Sequence, residues 1–187
     1  MSKEGDSLSE KIIVANILDG NIQAFAIVVK NTEKLVTQIV GKMTSNETDQ
    51  KDLVQDIYLK AYQNLPSFQF KSKLSTWIAT IAYNTTINYL HKKKIPIIEI
   101  TGTTEDEFAI NENPASEIIK TEAVEILNAA IARLPPLYKT LITLYHLEEL
   151  PNKEISEITN LPEGTIKSYL YRARKILKDN INQHYKK

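Results

Sequence analysis

Lys167, Ser168, Tyr171, Arg172, Arg174 and Lys175 crowd into one short stretch, with Thr165 just ahead of them. Cations, hydroxyls and a guanidinium at this spacing suit one chemistry: lysine and arginine neutralise phosphates, and arginine, lysine and serine hydrogen-bond to base edges. A second group, Trp77, Asn84, Asn88 and His91, falls on one side of a helix wound at about 100° per residue. One aromatic, two amides and an imidazole form a polar stripe able to stack on bases and hydrogen-bond to them, with Lys92, Lys93 and Lys94 at its end for phosphates. Trp77 is equally suited to anchoring a core, because tryptophan is highly buried on average. A third group, Asp52 and Asp56, lies one position behind an apolar stripe and gives an acidic helix face.

Each group needs an element to hold it. The stretch Leu150 to Lys178, LPNKEISEITNLPEGTIKSYLYRARKILK, reads as two helices around a tight turn. Asn152 is placed to cap the first, and Ile155 and Ile158 give that helix its apolar stripe. Asn160 and Leu161 break it. Pro162 suits the first position of the second helix, and Glu163 complements the positive helix end. Ile166, Leu170, Ala173 and Leu177 then turn one side inward and leave the basic residues outward, with small residues Gly164, Thr165 and Ser168 near the helix start. This is the helix-turn-helix pattern. A plain amphipathic hairpin with a solvated basic face would share the stripe; the turn, the small residues and the charge together favour DNA.

The remaining chain predicts more helices. Ser9 to Leu18 has Ile12, Ile13, Ile17 and Leu18 as apolar positions and ends at Asp19-Gly20. A longer helix follows from Ile22 to Met43, with Phe25, Val28, Val29, Leu35, Val36, Ile39 and Val40 inward. Asp49 is placed to cap a third helix reaching Leu65, built on Leu53, Ile57 and Ala61 and stopped by Pro66. The loop Ser67 to Ser75 carries two aromatics and two lysines, and Ser75 is placed to cap a fourth helix running to Lys94. Ile95 to Glu117 holds two prolines, a Gly-Thr-Thr turn and an acidic run, and reads as a linker. Helices resume near Ser116, break at Leu134-Pro135-Pro136, and continue from Leu137 to about Leu147 with Leu141, Leu144 and Tyr145. The expectation is an all-α chain of two helical domains, 1–94 and 118–187, joined by a flexible acidic linker over 95–117.

Composition narrows the function. The 187 residues carry 23 basic and 23 acidic side chains, so the chain is no simple polybasic binder. The charge is nevertheless blocked: no Asp or Glu occurs from Ile57 to Ile98, whereas acids dominate both flanks of that segment. Such blocks suggest separate surfaces for separate partners. With no cysteine there is neither a disulfide scaffold nor a thiolate metal site, and His91, His146 and His184 form no HExxH pair. Neither a metal nor another cofactor is expected. No apolar run approaches a bilayer span and MSKEGDSLSEK lacks a signal-peptide core, which points to a soluble cytoplasmic protein without membrane insertion. No nucleophile and base constellation or phosphate loop suggests an enzyme.

Two stretches resemble one family, the extracytoplasmic-function type of bacterial sigma-70 factors. Asp19, Gly20, Ala24 and Phe25, then DQKDLVQDIYLKAY from Asp49 to Tyr62, then Phe68 with SKLSTWIATIAYNTTINYL to Leu90, are similar to that family's region 2. Leu134 to Leu177, with its GTIKS and RAR elements, is similar to region 4. The resemblance implies an alternative sigma factor: a dissociable, non-catalytic subunit that binds the RNA polymerase core and directs promoter recognition, DNA melting and transcription initiation.

It also implies roles. Asp52, Leu53, Gln55, Asp56, Tyr58 and Leu59 would dock on the clamp of the largest polymerase subunit. Phe68, Lys71, Lys73, Ser75 and Thr76 would capture an unstacked base of the minus-ten element, and Trp77, Asn84, Asn88, His91, Lys92, Lys93 and Lys94 would hold the melted strand. Thr165, Lys167, Ser168, Tyr171, Arg172, Arg174 and Lys175 would read the minus-thirty-five element as duplex. Region 4 would also meet the flap of the second-largest subunit, and the acidic linker would pass near the RNA path. An anti-sigma protein is a further implied partner.

His91 stands where many members carry Arg, Asn88 where many carry Asp, and Tyr169 where Arg is frequent. These departures soften charge at the proposed DNA faces and lead to the expectation that the protein needs polymerase or another DNA-targeting partner to engage DNA. A stand-alone helix-turn-helix regulator is the alternative, but it would have no use for DLVQD, the STW junction or the basic segment from Ile57 to Ile98.

Overall fold

The computed structural model describes residues 3–97 and 120–184, and every regular element among them is helical. Helices α1 (Lys3–Leu18), α2 (Ile22–Met43), α3 (Glu47–Asn64) and α4 (Leu74–Lys92) form a first group; α5 (Lys120–Ala132), α6 (Pro136–Ile142), α7 (Asn152–Thr159) and α8 (Glu163–His184) form a second. A short 3-10 turn at Leu65–Ser67 takes up Pro66, and a π-helical turn at Thr143–Leu147 follows α6. The segment expected to be a linker lies, beyond Ile97, outside the described residues.

Helix ends follow local chemistry, not always through the expected residue. Gly20 has φ +92°, which only glycine adopts cheaply, and Asn21 then caps α2 by accepting from the amides of Gln23 and Ala24 at 3.1 and 3.3 Å. Asn46, not Asp49, caps α3, accepting from Thr48 and Asp49 at 2.9 and 3.1 Å. Asp49 sits one turn inside, where its carboxylate accepts the Tyr89 hydroxyl. Ser75 is likewise inside α4. That helix begins at Leu74, whose amide donates at 3.2 Å to Glu10 of α1, so the cap comes from a distant acid. The α4 helix also ends earlier than expected, at Lys92. In the second group Pro151 precedes α7, leaving Asn152 as its first residue, and Pro162 lies one residue before α8 with its carbonyl accepting from Ile166. Asn160 ends α7 in the left-handed region at φ 57°, a conformation asparagine tolerates.

The buried apolar residues form one continuous cluster, with Val36, Ile39, Ile57, Ile78 and Leu90 on α2, α3 and α4 and Leu141, Leu144, Ile155, Ile158 and Ile166 in the second group. The α8 stripe of Ile166, Leu170, Ala173 and Leu177 is buried as its spacing requires. On α1 the expected Ile17 is buried and Ile13 packs against the core, but Val14 takes the place of Ile12 and Leu18, which are exposed. Tyr145 is exposed too, on the π-helical turn.

The two groups are packed together. Helix α7 lies on α4 and α6 lies on α2. Lys34 pairs with Glu148 at 3.0 Å, and Lys73 pairs with Glu154 at 2.6 Å. Sequence periodicity identifies which face of a helix is apolar but not which distant helix meets its rim, so this contact had no signature in the sequence.

Candidate nucleic-acid interface

On α8 the inward stripe fixes the outward side. Lys167, Tyr171, Arg174 and Lys175 are exposed, and Thr165, Ser168 and Arg172 are half-buried beside them, so the residues named from sequence share one side of one helix. The cations lie far enough apart along α8 to meet successive phosphates while Lys167 and Ser168 remain near the helix start, the end that enters a major groove in helix-turn-helix proteins. Tyr169 does not belong to this side. It is buried, with its ring 5.5 Å from that of Tyr138 at 60°, and burial raises its hydroxyl pKa above the ordinary range. Its presence in place of an arginine therefore subtracts no charge from the outward face, which corrects the sequence expectation for that position.

On α4 the polar stripe is partly open. Asn84, Asn88 and His91 are exposed while Ile78 and Ala82 on the opposite side are buried. Trp77 is half-buried, its ring 5.2 Å from Phe68. Phe68 is itself buried and makes no outward surface; it supports Trp77 and lies 4.7 Å from Phe70. Phe70 is 41% exposed and holds φ 55°. A bulky aromatic in the left-handed region is a strained arrangement, and it presents an open ring at the tip of the loop. Phe70 is the second of the two aromatics expected in this loop, and of the two it is the exposed one. Lys71 and Lys73 are exposed, Ser75 is half-buried, and Thr76 is buried with its hydroxyl 3.4 Å from Glu154. Thr76 is thus shielded from any outside ligand in this arrangement. Lys92, Lys93 and Lys94 are exposed at the far end, with Lys93 positioned 5.6 Å above the Tyr89 ring.

On α3 the six residues named from sequence divide. Asp52, Gln55 and Leu59 are exposed, and Asp56 is partly exposed with its carboxylate 2.6 Å from Lys60. Leu53 and Tyr58 point the other way. Leu53 lies in the core, and the Tyr58 hydroxyl stands 3.0 Å from that of Thr32 on α2, with burial as the main reason its pKa is raised. Both are therefore removed from direct contact with a partner and instead seat α3 on α2. Tyr62, 37% exposed and edge-on to Phe25 at 5.1 Å, continues the outward face that Leu59 begins. Acid, amide and exposed apolar groups on one helix face suit a basic protein surface through charge-assisted bonds with an apolar anchor.

Among the described residues no grouping of acids and histidines is arranged to hold a metal ion, and no helix is long and apolar enough to cross a membrane.

Two family models match the chain. Residues 28–95 match the family model for sigma-70 region 2, and residues 125–177 match that for sigma-70 region 4. The chain is 31% identical over 176 residues to the ECF RNA polymerase sigma factor SigW of Bacillus subtilis, covering 90% of this chain and 94% of the relative. It is 30% identical over 184 residues to the ECF RNA polymerase sigma-E factor of Haemophilus influenzae, covering 94% and 97%. Two solved structures share the fold. CnrH in complex with the cytosolic domain of CnrY gives a TM-score of 0.66 at 18% identity, over 93% of this chain and 97% of that one. The sigma factor RpoE in complex with the anti-sigma factor NepR from Bartonella quintana gives 0.60 at 23% identity, over 84% and 96%.

Proposed function

The chain belongs to the extracytoplasmic-function group of sigma-70 factors, the promoter-recognition subunits of RNA polymerase, and from that premise we propose how its faces divide the work. The exposed part of α3, Asp52, Gln55, Asp56 and Leu59, docks on the clamp of the largest polymerase subunit. Leu53 and Tyr58 act behind it as positioning residues. The loop and α4 capture the melted minus-ten strand: Phe70 and Trp77 stack, Asn84 and Asn88 bond to base edges, and Lys71, Lys73 and Lys92 to Lys94 take phosphates. Unstacking a base costs a few kcal/mol, which stacking on two aromatics can offset. Helix α8 reads the minus-thirty-five element as duplex through Lys167, Ser168, Tyr171 and Arg172, with Arg174 and Lys175 on the backbone. The domain built on α5 to α8 also meets the flap of the second-largest subunit.

The observation that supports this reading is the coexistence in one chain of an acidic, partly apolar α3 face with two separate exposed faces, on α4 and α8, whose amides, aromatics and cations suit nucleic acid. A stand-alone regulator would use only the second. The work is binding and positioning in the cytoplasm, and no residue is assigned to covalent chemistry. Two relatives of the same fold were solved with protein partners, one of them an anti-sigma factor, and we extend to this chain the expectation of such a partner. Mixing the purified protein with core polymerase and testing for a stable complex decides between the readings. A complex that initiates at discrete starts supports the sigma reading. Duplex binding by the free protein, without association to polymerase, supports the regulator.

A further inference from the structure

We infer that the cleft bounded by the α2–α3 turn, the end of α4 and the start of α6 is a binding site for a small phosphate-bearing molecule the size of a nucleoside diphosphate. It shares only Lys93 with the faces assigned above and does not depend on those assignments. The cleft has a volume of about 870 Å³, within the roughly 300–1,000 Å³ range of small-ligand pockets. Its wall draws on both helical groups. Lys42 near the end of α2, Ser45 in the turn and Lys93 just past α4 come from the first; Asn128 on α5 and Lys139 on α6 come from the second.

Lysine sets the charge of this cleft. Lys42 and Lys139 are half-buried, and among the described residues neither has a carboxylate within ion-pair distance. Lys93 stands 5.6 Å above the Tyr89 ring, again with no acid paired to it among the described residues. Asp49 is the one acid in the described wall, and its carboxylate already accepts the Tyr89 hydroxyl. Cations held near one another and partly out of water are unfavourable. Lys139 registers that cost, its pKa lowered first by burial and then by the nearby Lys42. An anion seated between these ammonium groups removes their repulsion and replaces lost hydration with charge-assisted hydrogen bonds.

The rest of the wall indicates what bears the phosphates. Ser45 is exposed one residue ahead of Asn46, the cap of α3, so its hydroxyl and the positive end of that helix add to the pull of the lysines on an anion. Ile95 and Pro136 supply apolar wall, and Asn128 an exposed amide. Phosphates on the lysines, a flat ring against Ile95 and Pro136 and an amide for its edge fit a nucleotide better than a bare inorganic anion. A nucleic-acid strand fits less well: Lys42, Lys93 and Lys139 converge on one cleft from three separate elements and do not follow a single helix face.

The test is calorimetric titration of the full chain with ADP, with inorganic pyrophosphate and with adenosine. One saturable site should take ADP more tightly than pyrophosphate, and adenosine should give no measurable binding. Lys42→Gln/Lys139→Gln should weaken ADP binding by about tenfold or more, while Lys139→Arg, which keeps the charge, should stay within about threefold of the unaltered chain. Circular dichroism checks that the double variant is folded; if it is not, Lys139→Gln alone serves the comparison. Absence of saturable binding by ADP and pyrophosphate overturns the site, as does ADP binding that the glutamine variants leave intact. Equal affinity for ADP and pyrophosphate overturns the nucleotide assignment. Lysine-dependent binding of a mixed-sequence single-stranded oligonucleotide, without binding of either small probe, gives the cleft to nucleic acid and overturns the proposal. ADP binding that arises only with Glu105→Gln/Asp106→Asn/Glu107→Gln overturns it too, since the chain's own acids would then be the occupant.

Discussion

Lys73 and Glu154 stand 2.6 Å apart although 81 residues separate them, and this pair ties the loop ahead of α4 to the first turn of α7. The lysine is well exposed and the glutamate partly so, which keeps the pair weak: exposed ion pairs contribute about 0.2–1 kcal/mol. Glu154→Ala should therefore change urea-unfolding stability by less than about 1 kcal/mol. A loss several times larger would mean that Glu154 is a structural anchor.

The α3 face separates contact from support. Asp52→Lys with Asp56→Lys should lower affinity for core polymerase by at least about tenfold, since like charge at an interface costs several kcal/mol. Helix content should hold, because the pair these changes break among the described residues, Asp56–Lys60, is exposed. Leu53→Ala should do the reverse, costing about 2–4 kcal/mol of stability by opening a cavity in the core. Pull-down on core polymerase, set beside circular dichroism, distinguishes the two classes.

Tyr83 gives the seam between the helical groups a signature in alkaline solution. Burial, reinforced by Tyr169, pushes its hydroxyl up to about 12 from the usual 10. The packed chain then holds a proton that the unpacked chain loses, so stability is undiminished below pH 10 and falls as pH rises from 10 through about 12. The difference is worth roughly 2–3 kcal/mol at the upper end. Absorbance titration of tyrosinate should show a late-ionising step that Tyr83→Phe removes, and that variant should lose less stability above pH 10 than the unaltered chain.

Contacts on α8 should sort by salt dependence. Lys175→Ala, at a backbone contact, should weaken duplex binding evenly across sequences and reduce the slope of log affinity against log salt by about 1. Lys167→Ala, at a base contact, should cost about 1–3 kcal/mol on the preferred sequence and relax its preference. Equal behaviour of the two variants would contradict the division between them.

Much of the fold was legible because apolar spacing is a local property. The bounds of α2, the inward stripe of α8, the turn at Asn160 and the break at Pro66 all follow from residues within a few positions of one another. Caps were less legible where two candidates stand close together: Asn46 caps α3, and Asp49, three residues on, instead accepts from Tyr89 of a distant helix. The start of α4 depended on Glu10, a residue from another helix. For the site, sequence chose the correct helices but could not separate Leu53 and Tyr58 from their exposed neighbours. A patterned helix with two flanking helices has more than one buried side. Tyr169 shows the same limit: its place in a basic stretch suggested the outward face, whereas packing against Tyr138 turned it inward.

The central claim is that one chain grips polymerase through α3 and promoter DNA through α4 and α8. Transcript-start mapping with core polymerase and the purified protein tests it most directly. The account predicts starts at a discrete set of promoters sharing two spaced elements, lost with Asp52→Lys/Asp56→Lys and altered in sequence preference with Lys167→Ala. Starts that do not depend on the protein, or an absence of any complex with core polymerase, would contradict it.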